Sequence, residues 1–247
     1  MLLDNISSGD FSETDFKLLS TRFLTSVSKS ELLQFSEVLH LFSTVSEVNA
    51  FNLSMLEAAT NKDSGHSQPV ARVPAIHNCK LASSAKPEDC DNLESVLYLC
   101  QGCRVMLRHN LWTSKGLVHG AVGIVVDIVY ETGLSSPSDL PAVILCSFPS
   151  YTGPSLIPDQ NVVPICSMTS KWVTKTGITC TRKQFPLSVA YACSIHKSQG
   201  MTLDKVIYKI QTFFLNFLLK LYLRFISFNY NIGIHSIRLT ILTQTFY

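Results

Sequence analysis

The strongest constraint in this sequence is the stretch AYACSIHKSQGMTLDKV at 190–206, where an apolar run stops at a polar, glycine-containing pentapeptide. Residues 184–193 predict a buried strand, and helix-like spacing resumes from Ser194. The segment therefore predicts a strand-to-helix junction. Because a helix N-terminus presents unpaired N–H groups and the positive end of a dipole, such a junction is a candidate phosphate-binding site.

Side chains at this junction suit an anionic ligand. Lys197 adds positive charge, Gly200 lets a ligand approach the backbone, and His196 and Ser198 supply two further donors. A capped surface helix with an exposed histidine and lysine explains the same spacing equally well. The motif therefore needs support from the rest of the chain.

The first part of the chain predicts helices. Capping pairs at Ser12/Asp15, Ser28/Glu31 and Thr44/Glu47 each place a hydroxyl three residues before a carboxylate, and residues 12–59 are predicted as a helical region. Residues 60–92 lack such periodicity and are predicted as a connector, with one possible short strand at 70–77.

From 93 to about 172 the pattern predicts a small β-barrel. Short β-branched runs at 105–107, 122–130 and 142–148 are separated by Gly, Pro and Ser. Gly116, Gly120 and Gly123 lie between the first two runs, where tight turns or close backbone approaches favour residues without a Cβ.

Three stretches together resemble a known family. VAYACSIHKSQGMTLDKV is similar to the late motor motif of superfamily-one DNA helicases of the PIF/RecD group, in which a strand leads into Ser/Thr-Ile-His-Lys-Ser-Gln-Gly. GCRVMLRHNLWTSKGLVHGAVGIVVDI at 102–128 resembles the SH3-like insertion of those helicases, and RKQFPLSVAYA at 182–192 resembles the return to the second RecA-like domain. Segments within 15–56 resemble the beginning of that domain, so the resemblance covers about residues 1–206.

The resemblance implies a fold and a division of the chain. The expected fold class is α/β, a partial RecA-like helicase domain of the P-loop NTPase type with an inserted small SH3-like β-barrel. Residues 1–92 would hold the first part of the second RecA-like domain plus the connector, 93–172 the barrel, and 173–206 the return with the His-Lys-Ser-Gln-Gly motif. Residues 207–247, apolar and without an acidic residue, would be a divergent tail that is not native to the fold.

The resemblance also implies residue roles. His196 and Ser198 would contact DNA phosphates, whereas Lys197, Gln199 and Gly200 would couple DNA to the terminal phosphate of the nucleotide. The remaining assignments are weaker: Thr202 and Asp204 would hold the loop, Arg22 would sense nucleotide or be a surface arginine, and Gly116, His119 and Gly120 would form the barrel turn, with His119 where the family usually has Asn.

The implied activity is that of an ATP-dependent DNA helicase moving 5′ to 3′ on single-stranded DNA, in repair, recombination or telomere maintenance. Its cofactors would be ATP and Mg²⁺, and its partners single-stranded DNA and a missing N-terminal ATP-binding domain. The sequence contains no Gly-Lys dipeptide and no Asp-Glu pair, so a phosphate loop, an acidic Mg²⁺ pair and an arginine finger are not identified in it. The alternative is a non-catalytic remnant that binds single-stranded DNA or a protein.

Composition limits the remaining classes. The net charge is +2, and residues 1–206 alone carry −2, so DNA contacts would be local rather than made by a basic face. The N-terminus shows no secretory pattern and the tail is too polar for a membrane span, which leads us to expect a nuclear or, alternatively, mitochondrial protein.

The eight cysteines and two tryptophans carry weaker signals. The irregular cysteine spacing predicts mostly buried thiols, and Cys100-x-x-Cys103 is a weak zinc candidate because two further ligands at regular spacing are not evident, so no metal is expected. Trp112 and Trp172 are expected to pack in the core or its rim rather than to stack on bases.

Overall fold

The chain forms two compact units in a computed structural model. The structure describes residues 5, 10, 12–23, 26–35, 38–60, 69–158, 160–198, 205–210 and 238–243. One unit, here called the flanking unit, is built from Met1–Phe51 and Tyr191–Tyr247. The other, the central unit, is built from Asn52–Ala190.

Helices of the flanking unit begin where the capping pairs predict them. Ser12 accepts from the Asp15 N–H, and the Asp15 carboxylate accepts from the Ser12 N–H, which completes a capping box. Ser28 accepts from the Glu31 N–H in the same way. The helices are α1 at Glu13–Ser20, α2 at Lys29–Leu32 and α3 at Val45–Thr60, with a 3₁₀ turn at Leu33–Phe35. Helix α3 begins in the flanking unit, and its residues from Asn52 onward belong to the central unit.

A parallel sheet forms the centre of the flanking unit. Its strand order is β12 (Ala192–Ser194), β1 (Leu39–Phe42), β13 (Lys205–Ile210) and β14 (Arg238–Thr243). Leu41 of β1 pairs with Cys193 on one side and with Tyr208 on the other. Phe42, Val48 and Ala192 form a buried apolar cluster against which Phe51 packs.

Two predictions for this unit are wrong. Residues 12–59 are not uniformly helical, because Leu39–Phe42 is the central strand β1. The segment after Ser194 is a 3₁₀ turn over Ile195–Ser198, and Lys205–Ile210 is a strand rather than the continuation of a helix. A four-residue apolar run fits either period, and its parallel partners decide its conformation. The assignment of the tail from residue 207 stays a prediction, although Ile207 and Tyr208 are buried within β13.

Among its described residues, the central unit contains three antiparallel sheets. The largest has the order β11-β5-β6-β7-β8, the second β3-β10-β9, and the third β2-β4. Their strands span Ala71–Pro74 (β2), Ile76–His77 (β3), Val96–Leu99 (β4), Arg104–Leu107 (β5), Val122–Val129 (β6), Val143–Ser147 (β7), Val162–Ile165 (β8), Met168–Val173 (β9), Thr179–Gln184 (β10) and Leu187–Val189 (β11). The helical elements are α4 at Lys80–Ser84 and 3₁₀ turns at Pro87–Asp89 and Thr113–Lys115.

The three β-branched runs predicted as strands are confirmed by β5, β6 and β7, which are neighbours in the five-stranded sheet. No pairing between β8 and β11 closes this sheet in the part of the chain that the structure describes, so a closed barrel is not found there. The predicted connector is also more ordered than expected. It contains β2, β3 and α4, and the possible strand at 70–77 is two short strands in different sheets.

The single strand predicted over 184–193 is in fact split between the two units. Gln184 ends β10, Leu187–Val189 pairs antiparallel with β5, and Ala192–Ser194 pairs parallel with β1. Pro186 falls between the first two segments, where a residue without an N–H cannot extend a sheet ladder. The predicted boundaries at residues 92, 172 and 206 stay predictions.

Candidate functional site

The predicted phosphate motif follows directly from the carboxyl end of β12. Since β1 and β12 are parallel, with Phe42 opposite Ser194, their carboxyl ends lie at one edge of the sheet. The 3₁₀ turn Ile195–Ser198 therefore lies beside the end of β1. In open α/β sheets this edge is where ligands bind, so the topology puts the motif in a suitable place.

Within this turn the side chains differ in exposure. His196 is exposed, whereas Lys197 and Ser198 are half-buried. The Ser198 hydroxyl donates to the Ile195 carbonyl over 2.7 Å, so its proton holds the turn together in this structure. Ser198 can donate to a ligand only by giving up that bond, whereas its oxygen can still accept. Four predicted site residues, Gln199, Gly200, Thr202 and Asp204, lie outside the described residues.

Helix α3 begins at the same edge of the sheet, immediately after β1. Thr44 accepts from the Glu47 N–H at 3.3 Å and donates its own proton to the Glu47 carboxylate at 2.8 Å. This reciprocal bonding fixes the first turn of the helix and orients Glu47. The edge thus carries a carboxylate as well as the cationic motif residue Lys197.

Tyr208 is a residue of this edge that the sequence prediction missed. It is 3% exposed, and it lies opposite Leu41 in the sheet. Burial raises its pKa, Glu47 acts in the same direction, and a hydrogen bond with Ser43 opposes them. The phenol is therefore neutral at physiological pH and links β13 to the β1–α3 connection. The continuous apolar run Val206, Ile207 and Tyr208 was the available signal, and all three residues are buried.

Arg22 is engaged elsewhere in the flanking unit. Its guanidinium forms an ion pair with Glu31 at 2.9 Å, and both side chains are about 30% exposed, at 31% and 29%. Half-exposed pairs of this kind contribute little to stability. A nucleotide-sensing role for Arg22 remains a prediction, and it would require the guanidinium to leave or share Glu31.

The predicted turn residues lie in the loop between β5 and β6 of the central unit. Gly116 and Gly120 have φ angles of +83° and +87°. A Cβ on Gly116 would lie 1.9 Å from the Ser150 carbonyl oxygen, so this position requires glycine. The His119 N–H donates to the Asn110 side chain at 2.7 Å, a bond made by the backbone and independent of the side chain at 119.

The burial and contacts of the cysteines and of Trp112 show the surroundings of these side chains in the central unit. Cys100 and Cys103 are 1% and 0% exposed, and among the described residues no group of three or more potential metal ligands occurs. Their mutual hydrogen bond lowers the pKa of Cys100 to about 7 and raises that of Cys103. Six of the eight cysteines are buried, which confirms the prediction of mostly buried thiols. Trp112 is 44% exposed, with its ring centroid 6.4 Å from that of Tyr151.

Curated proteins similar to this chain share one description. Over 113 residues the chain is 40% identical to the ATP-dependent DNA helicase PIF1 of Xenopus laevis, an alignment that covers 44% of this chain and 15% of that protein. No protein-family model matches the chain. Among the described ranges, none of the helices combines the length and the hydrophobicity needed to span a bilayer.

Solved structures of similar fold have related descriptions. The Pif1 helicase of Candida albicans matches 99% of this chain and 53% of its own, with a TM-score of 0.63 and 22% identity. Pif1 of Bacteroides in complex with ADP-AlF3 and single-stranded DNA matches 98% of this chain and 50% of its own, with a TM-score of 0.56 and 21% identity. The chain thus spans about half the length of the solved structures it resembles.

The parallel sheet and these likenesses support an α/β fold of the RecA-like class. Within that class the sequence matches fall on PIF1 proteins at 36% to 40% identity for the vertebrate relatives. The chain is therefore similar to a part of a PIF-type helicase.

Proposed function

We propose that this chain supplies the second RecA-like domain, with its insertion, of an ATP-dependent helicase that moves 5′ to 3′ along single-stranded DNA. The observation that carries the proposal is the position of the His-Lys-Ser turn after β12, at the carboxyl edge of a parallel sheet. The descriptions of the relatives support it, since they name an ATP-dependent DNA helicase and a complex with single-stranded DNA. ATP and Mg²⁺ would be bound with a second, ATP-binding domain.

In this proposal the motif residues divide between two ligands. His196 and Ser198 contact DNA phosphates, and Lys197, Gln199 and Gly200 transmit the state of the terminal nucleotide phosphate. Thr202 and Asp204 hold the loop between Ser198 and β13. The five-stranded sheet of the central unit corresponds to the SH3-like insertion, whose turn is formed by Gly116, His119 and Gly120.

Equilibrium binding to fluorescein-labelled oligo(dT) tests the role of the turn. His196→Ala and Ser198→Ala should weaken binding, because each removes a donor to phosphate. Lys197→Ala should weaken it and also reduce the slope of log affinity against log salt by about 1, since one counterion fewer is released.

Lys17→Ala is the matched control for this experiment. Lys17 belongs to the same unit, and its ammonium pairs only with the exposed Glu13 at 3.1 Å in the described contacts. Its removal should leave affinity and salt slope unchanged. Equal binding by all four variants and the unsubstituted chain would refute the assignment of the turn to DNA.

Full-length cDNA reads spanning the Met1 and Val206 codons separate the helicase from a non-catalytic binding module. In-frame continuation to a phosphate loop upstream and an Ala-Leu-Ser-Arg motif downstream would support the helicase. Reads that end where this sequence ends would support a remnant that binds single-stranded DNA or a protein without hydrolysis.

A further inference from the structure

Two cysteines far apart in sequence face each other in the central unit. The Sγ atoms of Cys79 and Cys180 are 3.6 Å apart, although the residues are 101 positions apart in the chain. Cys180 is buried in β10, and Cys79 is half-buried and immediately precedes α4. This pair is separate from the candidate nucleic-acid site, which lies in the flanking unit.

The strand register explains why the two thiols meet. His77 pairs with Arg182 in the antiparallel ladder, and continuing that register by two residues places Cys79 directly opposite Cys180. The Asn78 N–H donates to the Thr181 carbonyl, and the Asn78 side chain accepts from the Thr181 N–H at 2.8 Å. Because the backbones of residues 78 and 181 are joined by the Asn78 N–H bond, residues 79 and 180 would form the non-hydrogen-bonded type of pair, for which the Cα atoms of a regular ladder are about 4.5 Å apart. This separation lies within the range that a disulfide tolerates.

Backbone geometry at Cys79 also suits a cross-strand bond. Its φ and ψ of −156° and 166° are extended, so the residue continues the strand before the helix begins. The sulfurs need to approach from 3.6 Å to about 2 Å, which rotation of the side chains can supply without moving the strands.

The surroundings give the two thiols different reactivities. The Ala82 N–H donates to the Cys79 sulfur and lowers the pKa of that thiol, with a further contribution from Cys180. Burial raises the pKa of Cys180. Cys79 is thus the more exposed and more readily ionised of the two, and Cys180 is held beside it as a protonated partner.

We propose that Cys79 and Cys180 form a peroxide-reactive thiol pair that closes to a reversible disulfide. The Cys79 thiolate attacks hydrogen peroxide, which forms a sulfenic acid and releases hydroxide that takes up a proton to become water. The Cys180 thiol then displaces the sulfenic hydroxyl, which forms the S–S bond and releases a second water. Two electrons pass from the thiols to the peroxide, and a dithiol such as dithiothreitol returns them.

The disulfide would covalently link the connection between β3 and α4, here called the β3–α4 corner, to strand β10. The corner is otherwise held by the Asn78 contacts and by Arg182, whose guanidinium donates to the Ala82 and Ala85 carbonyls at 2.8 and 2.7 Å. Cys100 and Cys103 form a second thiol pair, but both are almost fully buried, so peroxide has less access to them. Cys166 is exposed and serves as an internal reference.

Tryptic mapping of the intact chain after brief treatment with limiting peroxide tests the pair. Cleavage after Arg72, Lys80, Lys175 and Arg182 gives peptides 73–80 and 176–182, each with one of the two cysteines. The expected product is the two peptides joined, lighter than their sum by two hydrogen atoms and separated again by dithiothreitol. The same treatment in urea should abolish the preference for this linkage.

Single substitutions distinguish the two roles. In Cys180→Ser the Cys79 sulfenic acid should persist and be trapped by dimedone, whereas in Cys79→Ser the linked peptide and the dimedone adduct at Cys180 should both be absent. Cys166→Ser should not change the yield of the linked peptide. Oxidation at Cys166 with no 79–180 linkage, or equal linkage in native buffer and in urea, would overturn the proposal.

Discussion

Arg182 shows how a single charged side chain can hold together an irregular part of the core. It is 0% exposed, and its guanidinium donates to the carbonyls of Leu93, Ala82 and Ala85 at 2.7 to 2.8 Å. A buried guanidinium is tolerated because these three bonds replace most of the solvent contacts it loses, whereas its Nε has no hydrogen-bond partner among the described residues. The alternation Cys180, Arg182, Gln184 on the buried face of β10 was the sequence signal for its position, but a charged residue is ordinarily assigned to the surface.

Arg182→Met is expected to reduce the free energy of unfolding by about 2–4 kcal/mol, because it leaves two buried carbonyls and one half-buried carbonyl without their donor. Urea unfolding followed by circular dichroism measures the change. Lys183→Met is the control, since Lys183 is the next residue on the exposed face of the same strand and should change the stability by less than about 0.5 kcal/mol. Similar losses in both variants would show that the carbonyl contacts do not matter.

Gly116→Ala and Gly177→Ala separate two costs of a side chain at positive φ. Both glycines have φ near +80°, at +83° and +79°, but a Cβ meets the Ser150 carbonyl oxygen at 1.9 Å only at Gly116, and nothing within 4 Å at Gly177. Gly177→Ala should therefore cost about 1–2 kcal/mol, the penalty of the left-handed conformation. Gly116→Ala should cost clearly more. Equal urea midpoints would indicate that the loop around Ser150 moves away freely.

At the level of elements, hydrophobic periodicity and caps predicted helix starts and three strands, but they did not predict which strands pair. Thr44 and Glu47 are close in sequence, so their contact follows from local spacing. Leu39–Phe42 is too short for its period to be decisive, and it becomes a strand because β12 and β13, some 150 residues later, pair with it. Gly116 could be predicted because its positive φ is a local need of the turn. Its close approach to Ser150 and the position of Tyr208 depend on long-range packing.

The Thr44 cap makes α3 sensitive to one hydroxyl. Thr44→Ala removes both bonds to Glu47 and should destabilise the chain by about 1 kcal/mol, within the usual range for such caps. Thr44→Ser keeps the oxygen and should restore most of the loss. Thermal unfolding of the unsubstituted chain and the two variants measures the order of their stabilities. A Thr44→Ser variant as unstable as Thr44→Ala would assign the effect to the lost methyl group instead.

The pairing of β3 with β10 is expected to weaken in acid. Burial lowers the pKa of His77, and the charge of Arg182, its partner in register, lowers it further. A folded-state pKa below the unfolded value of 6.5 means that the unfolded chain binds more protons, so stability falls as pH drops through 6.5. His77→Gln should lose less stability than the unsubstituted chain between pH 7.5 and 5.5 in urea titrations. Parallel pH profiles would contradict this assignment.

On the scale of the whole molecule, the chain contains the motif proposed to contact DNA, but its sequence shows no motif for binding nucleotide and Mg²⁺. The His-Lys-Ser turn lies at the carboxyl edge of the parallel sheet, but the 247 residues contain neither a Gly-Lys dipeptide nor an Asp-Glu pair for nucleotide and Mg²⁺. Phosphoryl transfer depends on positioning the phosphates, the metal and an arginine together, and an arginine finger alone contributes about three to five orders of magnitude in rate. We therefore expect this chain by itself to hydrolyse ATP at a negligible rate.

Phosphate release by the purified chain, with Mg²⁺ and with or without oligo(dT), measures this expectation. The control is Gln199→Ala, which removes the side chain proposed to couple DNA and nucleotide. Background phosphate release that is equal in both chains and unaffected by oligo(dT) would fit a domain that needs a separate nucleotide-binding domain for ATP hydrolysis. DNA-stimulated turnover that Gln199→Ala abolishes would mean that the chain assembles a complete ATPase site, for example between two copies.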